Sequence, residues 1–483
     1  MLDLCSLFAL RGLRMRKTVF ALWVSVVGAM SLPAHVVRAS SDGGLVLDET
    51  WASLTSSTSV IGIPTIAQAP GGDVIAVVFM ADSPNQIMSV VRIDSDGAIG
   101  LIDSVTEPFF SNKADVIVRP DGMIIVASEA GNVVTVRAWG PSGLLIFDTP
   151  IPGATGFPDF PAQLAFAGAG IFVSTPADGD MLTTMLDLSG NIVWSEPFNS
   201  PKGGLEVPTS IAACGSKVIV GGMGEQGVVL LQYDLGGNLV FDELISGSLG
   251  PFFPLGPTFV ACGDNGTMAM AANPESTCGV METLVRLYGS DNAMLWTETF
   301  PGNPCEQMSP VGIAVDVNGD VVVGAHGVDD HPLFGRFHVR RFDQDGTLEW
   351  ARQFDGEGQN EVGYAMAMGV NGAVYLTGVT TLGAQSRDVV TTAWDRDGEM
   401  CFSAQWSGPG ANNDIPSDVV VHGLGQVTVA AVQSETGVGS SAVFLRYIAP
   451  STPVPAVGVW GLVVITLVCV TMVTLRRLAV STE

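Results

Sequence analysis

Residues 311–354 read VGIAVDVNGDVVVGAHGVDDHPLFGRFHVRRFDQDGTLEWARQF. Four short runs stand in this stretch: Val311 to Val315, Asp320 to Gly324, Phe337 to Phe342, and Leu348 to Phe354. Turn residues part them: Asn318-Gly319, then a longer loop, then Asp345-Gly346. Asn-Gly and Asp-Gly between alternating apolar runs are strong hairpin signals, because such turns need residues that tolerate left-handed backbone. The stretch therefore reads as four antiparallel strands in roughly 50 residues.

The same unit recurs along the chain. A turn residue followed four positions later by a large apolar one occurs at Gly97/Leu101, Gly143/Phe147, Gly190/Trp194, Gly237/Phe241, Asn292/Trp296, Gly346/Trp350 and Gly398/Phe402. A head unit of two apolar residues around a free position, then two small ones, keeps the same rhythm. Val218-Ile219-Val220-Gly221-Gly222 and Val321-Val322-Val323-Gly324-Ala325 are clear copies. Others begin at Val74, Ile124, Ile171, Met268, Val374 and Val427, which makes eight heads against seven tails. Four strands repeated at this period are the signature of a β-propeller blade. Gly43-Gly44-Leu45-Val46-Leu47 copies the missing tail at the front of the chain. The expectation is an all-β propeller of eight four-stranded blades, the last completed by an N-terminal strand that removes a free sheet edge. Small head residues suit strands near a crowded axis, and the tail Trp or Phe would pack between neighbouring blades.

Composition bounds the class. Only 14% of the 483 residues are charged, 58 are Gly and 47% are hydrophobic. That is too apolar for disorder and too poor in Glu and Lys for a coiled coil. The formal charge is −27. Five basic residues and Asp3 fall within residues 1–39, and Arg476, Arg477 and Glu483 lie in the tail. The middle alone therefore carries about −32 by formal counting at neutral pH. An excess of this size excludes nucleic acid as a partner and suits cationic or neutral ones.

The two ends are not the domain. Arg11, Arg14, Arg16 and Lys17, an apolar run from Thr18 to Met30 and the small-residue site Val37-Arg38-Ala39 have the layout of a secretory signal peptide over residues 1–39. The ectodomain is then 40–449 and the Pro/Thr linker 450–453. Val454 to Leu475 has no charge and is long enough to cross a bilayer as a helix. Arg476-Arg477 stop it on the cytoplasmic side, leaving 478–483 as a tail and the bulk of the chain outside.

Val454-Pro455-Ala456-Val457-Gly458-Val459-Trp460-Gly461 resembles the start of the IPTL-CTERM sorting signal of bacterial surface proteins, a relative of PEP-CTERM. Pro455, Trp460 and Gly461 match that pattern, Val457 stands for Leu, and Ala456 replaces the usual Thr. The resemblance covers about 30 residues and implies delivery to a bacterial envelope by sorting and processing machinery, with a single-pass anchor or later release. The repeats over residues 310–404 resemble the SBBP or quinoprotein-like propeller repeats of bacterial secreted proteins.

Candidate chemistry is sparse. His326, His331 and His338 crowd one repeat, without an HExxH pattern. Gly222-Met223-Gly224-Glu225-Gln226-Gly227 has the letters of a dinucleotide loop, but a strand follows where that loop needs a helix. Asp94/Asp96, Asp343/Asp345 and Asp395/Asp397 form Asp-x-Asp-Gly turns whose carboxylates would suit calcium, a hard ion that takes oxygen ligands. Asp also favours turns simply by bonding its own backbone. No other cofactor is expected. Outside the cell disulfides form, and Cys214/Cys262 and Cys278/Cys305 are the two candidate pairs, with Cys401 left over as a thiol expected to be buried and inert. The leading functional reading is a non-catalytic, envelope-anchored propeller that binds an extracellular protein or a neutral glycan, or serves as a structural scaffold. Its rivals are an extracellular enzyme, either a quinone-type oxidoreductase or a hydrolase or lyase, and a calcium-stiffened surface-layer component.

Overall fold

The computed structural model describes residues 46–448, apart from 55–58, 108–109, 156–160, 169, 202, 226, 247–256, 275–281, 301–306, 329–334, 357–359, 382–385, 409–411, 424–425 and 436–438. These residues form eight antiparallel four-stranded sheets. In chain order the blades span 65–107, 110–150, 163–198, 206–246, 259–300, 307–354, 360–406 and 414–448. Blade 8 has only three strands of its own, and the strand Val46–Leu54 adds its fourth. Val46 faces Ile448 and Leu54 faces Ala442 across that closing pair. The eight-bladed propeller with an N-terminal closing strand thus stands as the sequence predicts. Among the described residues no helix is long and apolar enough to cross a membrane. The 454–475 segment, the signal-peptide stretch and the sorting-motif residues lie outside them.

The second strand of each blade is buried on both faces, so it reads as an unbroken apolar run rather than an alternating one. Val74 to Phe79 and Val321 to Val323 are fully buried. Between blades the sheets pack face to face. The buried apolar residues fall into eight clusters, each shared by two neighbouring blades. One of them joins Ala52, Ala430 and Phe444 of blade 8 to Ile66, Val74 and Val78 of blade 1, which closes the ring.

Small head residues let the blades converge toward the axis. A Cβ on Gly324 would sit 2.7 Å from Leu376 and 2.8 Å from Met366 of blade 7. One on Gly378 would meet Phe337 of blade 6 at 2.6 Å. The outer strands meet through a different device. Trp350 of blade 6 lies under Gly398 in the turn of blade 7, and its indole Nε1 donates to the Arg396 carbonyl at 2.9 Å. Trp194 repeats this against Gly237 and the Leu235 carbonyl, and Trp296 against Gly346 and the Gln344 carbonyl. Each glycine has positive φ and no room for a side chain.

Blade 1 departs from the expected tail. Its outer-strand bulge falls between Leu101 and Asp103, whereas other blades bulge right after the first strand residue. The shift turns Leu101 outward, 65% exposed, and puts Ile102 against Gly143 instead.

Candidate functional site

The two faces of the ring are built differently. On one face, third strands turn into outer strands through 94–98, 140–144, 187–191, 289–293, 343–347 and 395–399, all of one length. In four of them, those opening at Asp94, Asp187, Asp343 and Asp395, the aspartate holds its own loop. Asp94 Oδ1 accepts from the backbone N–H of Asp96 and Ala98, both at 2.9 Å. Asp343 does the same with Asp345 and Thr347, and Asp395 with Asp397 and Glu399. One oxygen of each carboxylate is thereby engaged as a turn lock. Among the described residues, no three His, Cys, Asp or Glu side chains converge as a metal-holding group. Hydrogen bonds from the Asn191 and Asn238 side chains, joined by backbone N–H groups, hold the equivalent Asp187 and Asp234 below the ordinary carboxylate range.

On the opposite face the connections vary. Residues 225–226 suffice within blade 4, whereas 247–258 join blades 4 and 5 and 151–162 join blades 2 and 3. The strand ends on this variable face carry buried acids at one repeated position. Glu206, Glu361 and Asp414 open the innermost strands of blades 4, 7 and 8 and are 0%, 0% and 2% exposed. Each keeps one carboxylate oxygen occupied. Ser200 donates to Glu206, Thr380 and the Gly356 N–H donate to Glu361, and the Gly408 N–H donates to Asp414. The second oxygen of each is buried without a protein partner.

Asp418 lies four residues beyond Asp414 in the inner strand of blade 8. Asp115 and Asp418 face Ala127 and Ala430, equivalent places in blades 2 and 8. Asp418 Oδ2 accepts from the Ile66 N–H of blade 1 at 3.0 Å, and Asp115 Oδ2 from the Leu164 N–H of blade 3 at 2.7 Å. Thr65 of blade 1 donates to the Ala114 carbonyl of blade 2 at 2.8 Å. Inner-strand side chains thus stitch neighbouring blades. Burial raises Asp115 to about 7, with the Leu164 N–H opposing and the Asp418 charge adding, and raises Asp418 to about 6. Burial also lifts Glu361 and Asp414 to about 7 each, the charges of Asp355 and Asp388 contributing.

The sign follows. A carboxylate raised above its unfolded value costs the native state its charge, so the penalty is absent below about pH 4.5 and complete above about pH 7. Glu361→Gln removes the charge while its amide oxygen still accepts from Thr380. We expect a melting midpoint raised by roughly 1–3 °C at pH 8 and unchanged at pH 4.5, followed by circular dichroism.

Other sequence candidates scatter. His326 and His338 are neighbours in register only diagonally, across the second and third strands of blade 6, and His331 lies outside the described residues. Burial lowers His326 to about 4. Gly224 and Gly227 pair across a hairpin, so the glycine-rich loop is a strand connection. Cys214 and Cys262 form a disulfide, Cα atoms 5.4 Å apart, at the ends of the inner strands of blades 4 and 5. Cys278 and Cys305 lie outside the described residues, and Cys401 is an exposed free thiol rather than a buried one, because it is the second residue of an outer strand whose inward position is taken by Phe402. The sequence candidates do not include the buried acids, although a carboxylate at the start of an inner strand, as at Glu361 and Asp414, was the available signal.

No family model matches the chain, and no curated protein matches it. Solved structures align with it at low identity. One is a protein of unknown function from Dyadobacter fermentans, 13% identical over 87% of this chain and 100% of that one, with a TM-score of 0.40. Another is an α-L-arabinanase from Penicillium chrysogenum complexed with arabinobiose, 10% identical over 86% and 99%, with a TM-score of 0.40. A prolyl endopeptidase is 12% identical over 78% of this chain and 54% of that one, with a TM-score of 0.45. Likenesses this distant concern the fold alone.

Proposed function

We propose that the protein is a non-catalytic binding scaffold held at a bacterial envelope by its C-terminal segment, with the variable face of the propeller as its binding face. The observation that carries this reading is the contrast between the faces: turns of one length from third to outer strand in six blades on one, connections ranging from 225–226 to 247–258 on the other. Loops on a rigid frame are where binding residues accumulate. The connections that join variable-face strand ends contain Phe109, Phe157, Phe160, Phe252 and Phe253. Aromatic side chains supply large contact area at low entropic cost and suit a protein surface or the apolar face of a sugar. The acidity of the middle disfavours anionic polymers as ligands. Pro455, Trp460, Gly461, Arg476 and Arg477 supply the sorting and anchoring signal.

Two measurements test the reading. The full chain should fractionate with membranes, and deleting the last 30 residues should release it. The purified chain should show no turnover of peptide, glycoside, lactone or alcohol substrates. Turnover that survives purification to homogeneity would make it an enzyme instead.

A further inference from the structure

Both ends of the folded ring emerge on the turn face. The last strand, Gly439–Ile448, is the third of its blade, and third strands run from the variable face to the turn face. Its terminal Ile448 pairs with Val46, where the closing strand begins. Five residues, 449–453, separate Ile448 from the apolar segment that starts at Val454. Fully extended, five residues reach about 17 Å. A ten-residue strand such as Gly439–Ile448 is about 30 Å long. The linker therefore cannot bring the variable face to a bilayer entered at residue 454, whereas the turn face is within reach.

The rim of that same face is apolar. The first residue of the outer strand is Leu145, Ile192, Leu239, Met294, Leu348 and Met400 in blades 2 to 7, and each is between 38% and 52% exposed. Nearer the axis, Val317 and Val370 sit at the tips of inner turns, 73% and 89% exposed. Scattered exposed apolar residues are ordinary, but one at the same place in six consecutive blades makes a collar.

From the reach of the linker and the position of the collar, we infer that the turn face is the membrane-facing side and that the collar rests in the lipid interface, presenting the variable face outward. This rests on the anchoring reading above. The exposed carboxylates of Asp96, Asp345 and Asp397 stand on the same face, so the surface it fits is zwitterionic rather than anionic.

The test is hydroxyl-radical footprinting of the full chain in phosphatidylcholine vesicles, after flotation. Met294 and Met400 report on the collar, Ile63 and Leu205 on the variable face; their exposures are 52%, 47%, 46% and 37%. With oxidation normalised to intrinsic side-chain reactivity, the two methionines should be protected at least threefold over Ile63 and Leu205. That protection should weaken when half the lipid is phosphatidylglycerol. Equal protection at both faces, greater protection of Ile63 and Leu205, or protection appearing only with phosphatidylglycerol would overturn the inference while leaving the anchor intact. A chain absent from the floated fraction would overturn the anchoring reading, and the docking with it.

Discussion

Arg341→Met should destabilise the propeller by about 3–5 kcal/mol, the range for removing one partner of a buried ion pair. In a chain of this size that is a fall in melting midpoint of roughly 5 °C. Arg341 is fully buried in blade 6, and its guanidinium donates to Asp316, to Asp320 at 2.6 Å and to Glu349 at 2.8 Å. Arg396, from the turn of blade 7, reaches Asp320 at 3.1 Å and Asp316 at 3.4 Å, so the cluster ties two blades together. The Asp316 and Asp320 side chains are only 5% and 10% exposed, while Arg396 is 46% exposed, so its solvent-screened charge offsets only part of the loss. Methionine fills the volume, which isolates the electrostatic loss from a cavity. Burial pushes the Asp316 carboxyl up, but the Arg341 hydrogen bond and the N–H groups of Asn318 and Asp320 outweigh it, and the group ends below 3.8. Its stabilisation is present above that value and lost as pH falls through the folded pKa, so the gap between parent and variant should narrow in strong acid. Adding Asp316→Asn and Asp320→Asn to Arg341→Met should recover most of the loss, since an amide oxygen at position 316 can still accept the turn's N–H groups.

The second large effect is covalent. Reducing Cys214–Cys262 should cost about 4 kcal/mol, because the bridge closes a loop with a sequence separation of 48 and removes that freedom from the unfolded chain. Melting with and without dithiothreitol measures it. The Cys214→Ser/Cys262→Ser variant should melt at the reduced midpoint and ignore the reagent. An unchanged midpoint on reduction would mean that the staple adds nothing to packing already complete between blades 4 and 5.

The blade plan was legible because it is carried by local chemistry. Asn-Gly and Asp-Gly turns fix the hairpins, and Gly237, Gly346 and Gly398 mark where an indole of the preceding blade must fit. The tail missing at the end and found at the front was enough to predict the closing strand. Cys214 and Cys262 could be matched because a repeat puts equivalent residues at equivalent places around an axis. Other features depend on register. Leu101 and Ile102 are both apolar, and only the bulge position decides which faces the next blade. The inner strand of blade 6 starts at Gln307, four residues before the run at Val311, since polar Gln307 and Ser309 interrupt the apolar pattern. The buried acids Asp115, Asp418, Glu361 and Asp414 were hidden for a related reason. One carboxylate in a strand reads as a solvated residue until the neighbouring blade is known to cover it. Which face points where also needed strand directions, not only strand positions.

The central claim is that the variable face is the one that takes the protein or glycan ligand. The most direct measurement compares binding of the full chain to neutral oligosaccharides and envelope proteins before and after Phe252→Ala/Phe253→Ala, with Asp343→Ala as the turn-face control. The account predicts at least a tenfold loss for the phenylalanine pair and no change for the control. Binding that survives the pair and falls with Asp343→Ala, or no binding by the parent chain at all, would contradict it.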